Sequence, residues 1–138
     1  MRKFIINTDG GSRGNPGKAA AAFVLHDENG QIIAREGGYI GVATNNDAEY
    51  AAVKEAFKYL STNFSQDIPL EIELRADSQL VVNQLAGKFK IKNPRLKIVV
   101  DEIKNVEMKL GHVVYTYIPR EQNKEADALV NEILDQNI

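Results

Sequence analysis

Thr8-Asp9-Gly10-Gly11-Ser12-Arg13-Gly14-Asn15-Pro16-Gly17-Lys18 follows the apolar run Phe4-Ile5-Ile6, and this junction decides how the chain is read. The apolar run predicts a buried strand over residues 3–8, ending on the carboxylate of Asp9. A glycine-dense loop is expected next, with Asn15-Pro16-Gly17 turning the chain back into a second strand. By itself the stretch supports two readings. It is either a β-hairpin connection with a solvated Asp, since Asp before Gly is ordinary turn chemistry, or a strand end where an acid and a bare backbone meet a ligand.

Working outward, residues 19–25 (Ala-Ala-Ala-Ala-Phe-Val-Leu) read as strand two, although an alanine run also suits a helix. Asp27-Glu28-Asn29-Gly30 is a hairpin turn signal, and residues 31–35, with Tyr39-Ile40 beyond Gly37-Gly38, give a third antiparallel strand. From Asn46 to about Leu60 the period becomes helical, through Tyr50, Val53, Phe57 and Leu60, with Glu49 at the head of the stripe. Leu70, Ile72 and Leu74 then alternate with charged residues in a strand ending at Ala76-Asp77, and Ser78 is placed to cap a short helix. After Gly87, Lys88, Lys90 and Lys92 are expected on one side of an extended segment, with Phe89 and Ile91 on the other. Asn93-Pro94 starts a long amphipathic helix that Gly111 closes. Residues 113–118 form a last strand, and Asn123 caps a final helix facing inward through Ala126, Leu129, Val130, Ile133 and Leu134. Three meander strands followed by alternating helix and strand predict an α/β fold built on a mixed sheet.

The bulk properties narrow the function. With 138 residues, 43% of them hydrophobic, the chain suits a single domain over 1–138 that buries roughly two-thirds of its unfolded surface. No run approaches the ~18 apolar residues of a membrane span, and the N-terminus lacks the apolar core of a signal peptide. The expectation is a cytoplasmic protein with no membrane partner. The absence of Cys removes disulfides and thiolate metal sites, and His26 and His112 stand far apart, so any metal would be held by oxygen ligands. A net charge of −2 argues against a globally cationic nucleic-acid binder, but Lys88, Lys90, Lys92, Arg95 and Lys97 fall in one window without an acid.

Four acids sit at element ends: Asp9 on strand one, Glu49 on the first helix, Asp77 on strand four and Asp127 on the last helix. If strands one and four are neighbours, Asp9 and Asp77 lie side by side, and the helices can deliver the other two. Such a cluster repels itself without cations. Hard oxygen ligands suit Mg²⁺ or Mn²⁺, and two ions about 4 Å apart can activate water and stabilise a leaving oxygen in phosphodiester cleavage. The competing explanation is local: Glu49 and Asp127 also complement helix dipoles.

Four motifs in order carry a resemblance over nearly the whole chain: Thr8-Asp9-Gly10-Gly11 with Gly14-Asn15-Pro16-Gly17; Thr44-Asn45-Asn46 with Glu49; Asp77-Ser78-Gln79; and Asn123 with Ala126-Asp127. In these the sequence resembles the ribonuclease H family, type 1, in a compact form without the extended basic protrusion. The resemblance implies a five-stranded mixed sheet, three antiparallel strands then two parallel, with helices on both faces. It also implies an Mg²⁺-dependent endonuclease, with two ions in the substrate complex and Mn²⁺ as a substitute; with no symmetric interface readable in the sequence, a monomer is the default expectation. The enzyme would cut the RNA strand of an RNA–DNA hybrid to 5′-phosphate and 3′-hydroxyl ends.

The family's catalytic and metal-binding carboxylates fall on Asp9, Glu49, Asp77 and Asp127. Substrate contacts fall on Gly10, Gly11, Ser12, Arg13, Gly14 and Asn15, on Thr44, Asn45 and Asn46, and on Gln79; these backbone and amide groups suit 2′-hydroxyls in a wide minor groove, with Thr44 on a DNA phosphate. Glycines 10 and 11 are therefore expected to be bare for the sake of the substrate rather than the fold.

Departures from the pattern are specific. Asp47 stands where some members carry an Arg, Lys88 and Lys90 offer only an electrostatic substitute for the extra basic helix, and no His precedes Asp127. Arg120 occupies that loop as a permanently charged phosphate ligand. Two other functions compete with the nuclease: a hybrid-binding module without turnover, and a related nuclease acting on double-stranded RNA.

Overall fold

The computed structural model describes residues 2–64 and 67–138. Its elements run β1 (Arg2–Gly14), β2 (Gly17–Asp27), β3 (Ile32–Ala43), α1 (Asn45–Asn63), β4 (Leu70–Ala76), α2 (Gln79–Leu85), α3 (Pro94–Leu110), β5 (Gly111–Tyr117), a 3₁₀ turn (Arg120–Gln122) and α4 (Lys124–Gln136). The strands form one sheet in the order β3-β2-β1-β4-β5. The β1–β2 and β2–β3 pairs are antiparallel, while β1–β4 and β4–β5 are parallel. This is the mixed five-stranded sheet expected, with β1 at its centre.

Helices cover both faces. On one, Phe4 and Ile6 of β1, Phe23 and Leu25 of β2, and Leu70, Ile72 and Leu74 of β4 meet Tyr50, Val53, Phe57 and Leu60 of α1, with Val81, Leu85, Val100 and Ile103 closing the core. On the other, Ala20 and Ala22 meet Val130 and Leu134 of α4. Burial on both sides explains why the alanine run is a strand. Every residue from 19 to 25 is buried, and the small side chains let α4 lie close to the sheet.

The structure corrects three sequence expectations. First, residues 10–14 are not a loop. They continue β1 in register with β2, from Gly10 opposite Ala21 to Gly14 opposite Gly17, and the turn is confined to Asn15-Pro16. Gly10 is bare because α1 occupies the space a side chain would need: a Cβ there would lie 2.2 Å from the Ala48 carbonyl carbon and oxygen. Gly11 is different, since its Cβ would meet nothing closer than Val130 Cγ1 at 3.8 Å.

Second, the lysine run does not begin as an extended segment, and its apolar residues do not both face inward. Gly87 (φ 79°) takes the left-handed conformation after α2, and the amides of Lys88 and Phe89 both donate to the Asn83 carbonyl at 2.8 and 3.2 Å. Phe89 is exposed rather than inward, and only Ile91 packs on the core. Third, Asn123 occupies the N-cap position of α4, but its side chain makes no capping bond. The other caps form as read: Ser78 accepts from Val81 N, and Asn93 accepts from Arg95 N and Leu96 N ahead of Pro94. Thr44, one residue earlier than the pattern implied, caps α1 in a reciprocal capping box with Asp47.

Gly10→Ala is therefore expected to cost about 3 kcal/mol or more of folding stability, because strand and helix backbones must separate. Gly11→Ala should change it by less than about 1 kcal/mol. Urea unfolding of both variants measures the difference.

Candidate active site

Parallel pairing brings the first two acids together. Thr8 of β1 is in register with Ala76 of β4, so Asp9, still paired with Ala22 of β2, and Asp77, just past the end of β4, lie side by side where the parallel pairing stops. Glu49 arrives from α1, pressed onto Gly10, and the Gly10 amide donates to Glu49 Oε1 at 3.4 Å. Carboxylate oxygens of Asp9, Glu49 and Asp77 all lie within 4.8 Å of one another. Asp9 and Glu49 are 5% and 7% exposed, and Glu49 Oε2 has no hydrogen-bond partner among the described residues.

Three acids in so little water cannot all ionise cheaply. Burial, then the charge of Asp77, pushes the Asp9 carboxyl from its ordinary 3.8 up to about 7. Burial, then the charge of Asp9, raises the Glu49 carboxyl well above the usual range. An all-oxygen set of neighbouring acids with a buried, unpartnered oxygen has the chemistry of a hard divalent-cation site.

Asp127 stands at the rim rather than in this group. It still touches the group: its negative charge and a side-chain hydrogen bond with Asp9 both add to the upward shift there. Its own carboxylate is paired with Arg120 NH2 at 3.6 Å and accepts from Asn131 Nδ2 at 3.4 Å. Arg120 lies in the 3₁₀ turn with its side chain 80% exposed.

The expected substrate residues divide by position. Ser12, Asn15 and Asn45 are joined: Asn45 Oδ1 accepts from the Ser12 amide (2.9 Å) and hydroxyl (3.0 Å), and the Asn45 amide donates to Asn15 Oδ1 at 3.0 Å. These bonds tie the hairpin tip to the start of α1, beside Thr44, whose hydroxyl accepts the Asp47 amide, and half-buried Asn46. Gln79 opens α2 with its side chain exposed, two residues beyond Asp77. Arg13 is drawn elsewhere, to Asp135 Oδ1 at 2.6 Å and the Asn131 carbonyl, and Gly14 lies beside it at the hairpin end. Lys88 lines a cavity with Gly111 and His112, at the end of β5 opposite the carboxylate edge, and Lys90 is exposed on the same connection.

Two partners were missed by reading the chain. Asp47, where a basic residue was sought, accepts from Arg95 NH1 at 2.5 Å. Burial works against its charge, but the bonds from Arg95 and Thr44 prevail and hold its carboxyl below the ordinary value. The Asn93-Pro94 start signal placed Arg95 in the first turn of α3, yet no local spacing indicates that α3 meets α1. Asn123 is the other, since its ordinary signal as a cap concealed a tertiary role.

Comparison with known proteins agrees with this geometry. A family model described as reverse transcriptase-like matches residues 7–133. A ribonuclease HI of Halobacterium salinarum is 43% identical over 127 residues, covering 92% of this chain and 62% of the relative. A ribonuclease H of Ehrlichia chaffeensis is 30% identical over 138 residues, covering 94% and 92%. The crystal structure of LC11-RNase H1, a protein isolated from compost by a metagenomic approach, solved in complex with an RNA/DNA hybrid, superposes with a TM-score of 0.93 at 41% identity, covering 97% of this chain and 98% of that one. The chain belongs to the type 1 ribonuclease H family. It spans about 62% of the length of the halobacterial family member. No helix among the described residues is long and apolar enough to cross a membrane.

The raised carboxyls fix the sign of a pH effect. Asp9 holds its proton more tightly folded than unfolded, so its stabilising contribution is complete below pH ~4 and is lost as the pH rises through about 7; Glu49 acts in the same sense. Metal-free protein should therefore melt at a lower temperature at pH 8 than at pH 5. Millimolar Mg²⁺ should raise the melting temperature at pH 8 more than at pH 5. Thermal unfolding in EDTA and in Mg²⁺ across that range checks both.

Proposed function

We propose that this chain is a metal-dependent endonuclease that hydrolyses the RNA strand of RNA–DNA hybrids. The observation carrying the reading is the convergence of Asp9, Glu49 and Asp77 within 4.8 Å, two of them buried and one with an unpartnered oxygen. Asp9, Glu49 and Asp77, with Asp127 at the rim, would hold two Mg²⁺ ions in the substrate complex, or Mn²⁺ in their place. When bound, such ions activate a water for in-line attack at phosphorus and neutralise charge on the departing oxygen.

The chain's own residues do the rest. Asp9 is fixed within the sheet by its pairing with β2, and Asp77 follows directly on the last paired residue of β4. Glu49 is fixed by the strand–helix contact. Arg120, always charged, turns between Asp127 and a phosphate of the substrate. Attack forms a new P–O bond from water and breaks the bond from phosphorus to the ribose 3′ oxygen, leaving 5′-phosphate and 3′-hydroxyl ends. The side-chain Nδ2 groups of Asn15 and Asn45, whose Oδ1 atoms are already engaged, with Asn46, Gln79 and the carbonyls of residues 10–12, present donors and acceptors along one rim. That rim suits ribose 2′-hydroxyls, which lie in a shallow minor groove and mark RNA without reading sequence. The complex of LC11-RNase H1 with an RNA/DNA hybrid supports this choice of duplex.

Labelled RNA–DNA hybrid, double-stranded RNA and double-stranded DNA, each incubated with the protein in Mg²⁺ or Mn²⁺, test the reading. Cleavage of the hybrid is expected, with Asp9→Asn, Glu49→Gln and Asp77→Asn each reducing it about a thousandfold, the scale of several kcal/mol of lost charge stabilisation. Hybrid binding without cleavage would make the chain a binding module, and equal cutting of double-stranded RNA would broaden its substrate. Arg120→Ala should lower turnover about tenfold, the worth of one charge-assisted hydrogen bond, without changing the melting temperature.

A further inference from the structure

Asn123 is 1% exposed and lies at the start of α4, where an asparagine ordinarily turns its side chain to the helix amides. Here the side chain points into the molecule. Its Nδ2 donates to the Thr8 carbonyl at 2.8 Å and to Asp77 Oδ2 at 3.1 Å, using both N–H bonds. Its Oδ1 accepts from Asn7 Nδ2 at 3.3 Å, a third bond on an amide whose orientation its two acceptors already set. Its backbone carbonyl accepts the Asp127 amide at 3.1 Å. One residue thus touches the peptide preceding Asp9, the carboxylate of Asp77 and the backbone of Asp127.

We propose that Asn123 is a positioning residue: by donating to Asp77 Oδ2 it holds that carboxylate in one rotamer with Oδ1 presented to the cation, and Asn7 acts behind it by steadying the amide. The proposal rests on the metal-dependent reading above. Asp77 is only half-buried and leaves the sheet just past the last paired residue, so the strand alone does not fix its carboxylate. A rotating carboxylate must be ordered when a cation binds, and a donor on its second oxygen removes that cost beforehand. A simple cross-brace between β1 and α4 would need the Thr8 bond but not the bond to Asp77.

The test is a titration of Mn²⁺ into purified protein, followed by calorimetry or by loss of the free-ion paramagnetic resonance signal, beside a melting curve for each variant. Asn123→Ala is expected to bind Mn²⁺ about tenfold more weakly. Its hybrid cleavage should fall in kcat, not in KM for the hybrid, and should recover as Mn²⁺ is raised. Asn7→Ala, which keeps the bonds to Thr8 and Asp77 but removes one of the three that hold the amide still, should weaken Mn²⁺ binding about threefold. A lower melting temperature in Asn123→Ala with unchanged Mn²⁺ affinity would overturn the proposal and leave Asn123 a cross-brace. If Asn123→Ala does not fold, unchanged affinity in Asn7→Ala overturns it instead. Asp77→Asn separates the two levels. If it abolishes Mn²⁺ binding while Asn123→Ala and Asn7→Ala bind normally, only the positioning role fails. If the unaltered chain binds no Mn²⁺, the metal-dependent reading fails with it.

Discussion

The close approach of α1 to the central strand at Gly10 is the contact on which the site depends. A strand and a helix normally keep a layer of side chains between them, yet here the Ala48 carbonyl occupies the position of a missing Cβ. That proximity puts Glu49 within reach of the Gly10 amide and of its neighbour Asp9. The capping box of Thr44 and Asp47 fixes where the helix begins, and hence which residue falls opposite Gly10. Ser12, Asn15 and Asn45 repeat the attachment at the hairpin end, so two groups of contacts hold strand and helix at one spacing.

What this packing assembles is electrostatically unfavourable by itself. The fold gathers three carboxylates where water is scarce and leaves one oxygen without a donor. Natural folds keep such features where function needs them and gain stability elsewhere, here from an apolar core on one face and a closely packed alanine strand on the other. The neighbouring groups temper the cluster without cancelling it. Arg120 partners Asp127 at the rim, and the amide of Asn123 donates to Asp77. Neither reaches the buried oxygen of Glu49, which is left for a cation.

Membership of the type 1 ribonuclease H family explains why these features travel together, but the chain has its own solutions at the margins. Asp47 serves the helix start and accepts Arg95 from α3, so a cation still stands near the head of α1, delivered by a different element. The segment after Gly87 forms no helix before Pro94, and Lys88 lies beside the start of β5, at the end of the sheet opposite the carboxylate edge.

Much of the fold was readable because local rules settle it. The apolar alternation of β4, the Asn93-Pro94 start of α3 and the change of period after Asn46 each depend on residues a few positions apart. The identities of Asp9, Glu49, Asp77 and Asp127 were equally plain, as acids at element ends in four ordered motifs. The errors lay where a residue's environment comes from distant chain. Gly10 looked like loop glycine because the helix that fills its space begins 35 residues later, and Asn123 looked like a cap because its true partners lie 115 and 46 residues away. The sequence by itself determined the elements, their order and the acids at their ends, since propensity, capping and periodicity act over one or two turns. Only the tertiary structure decided that three of those acids meet while the fourth stands at the rim with Arg120, because parallel register and the closeness of helix to strand are set by packing between segments far apart in the chain.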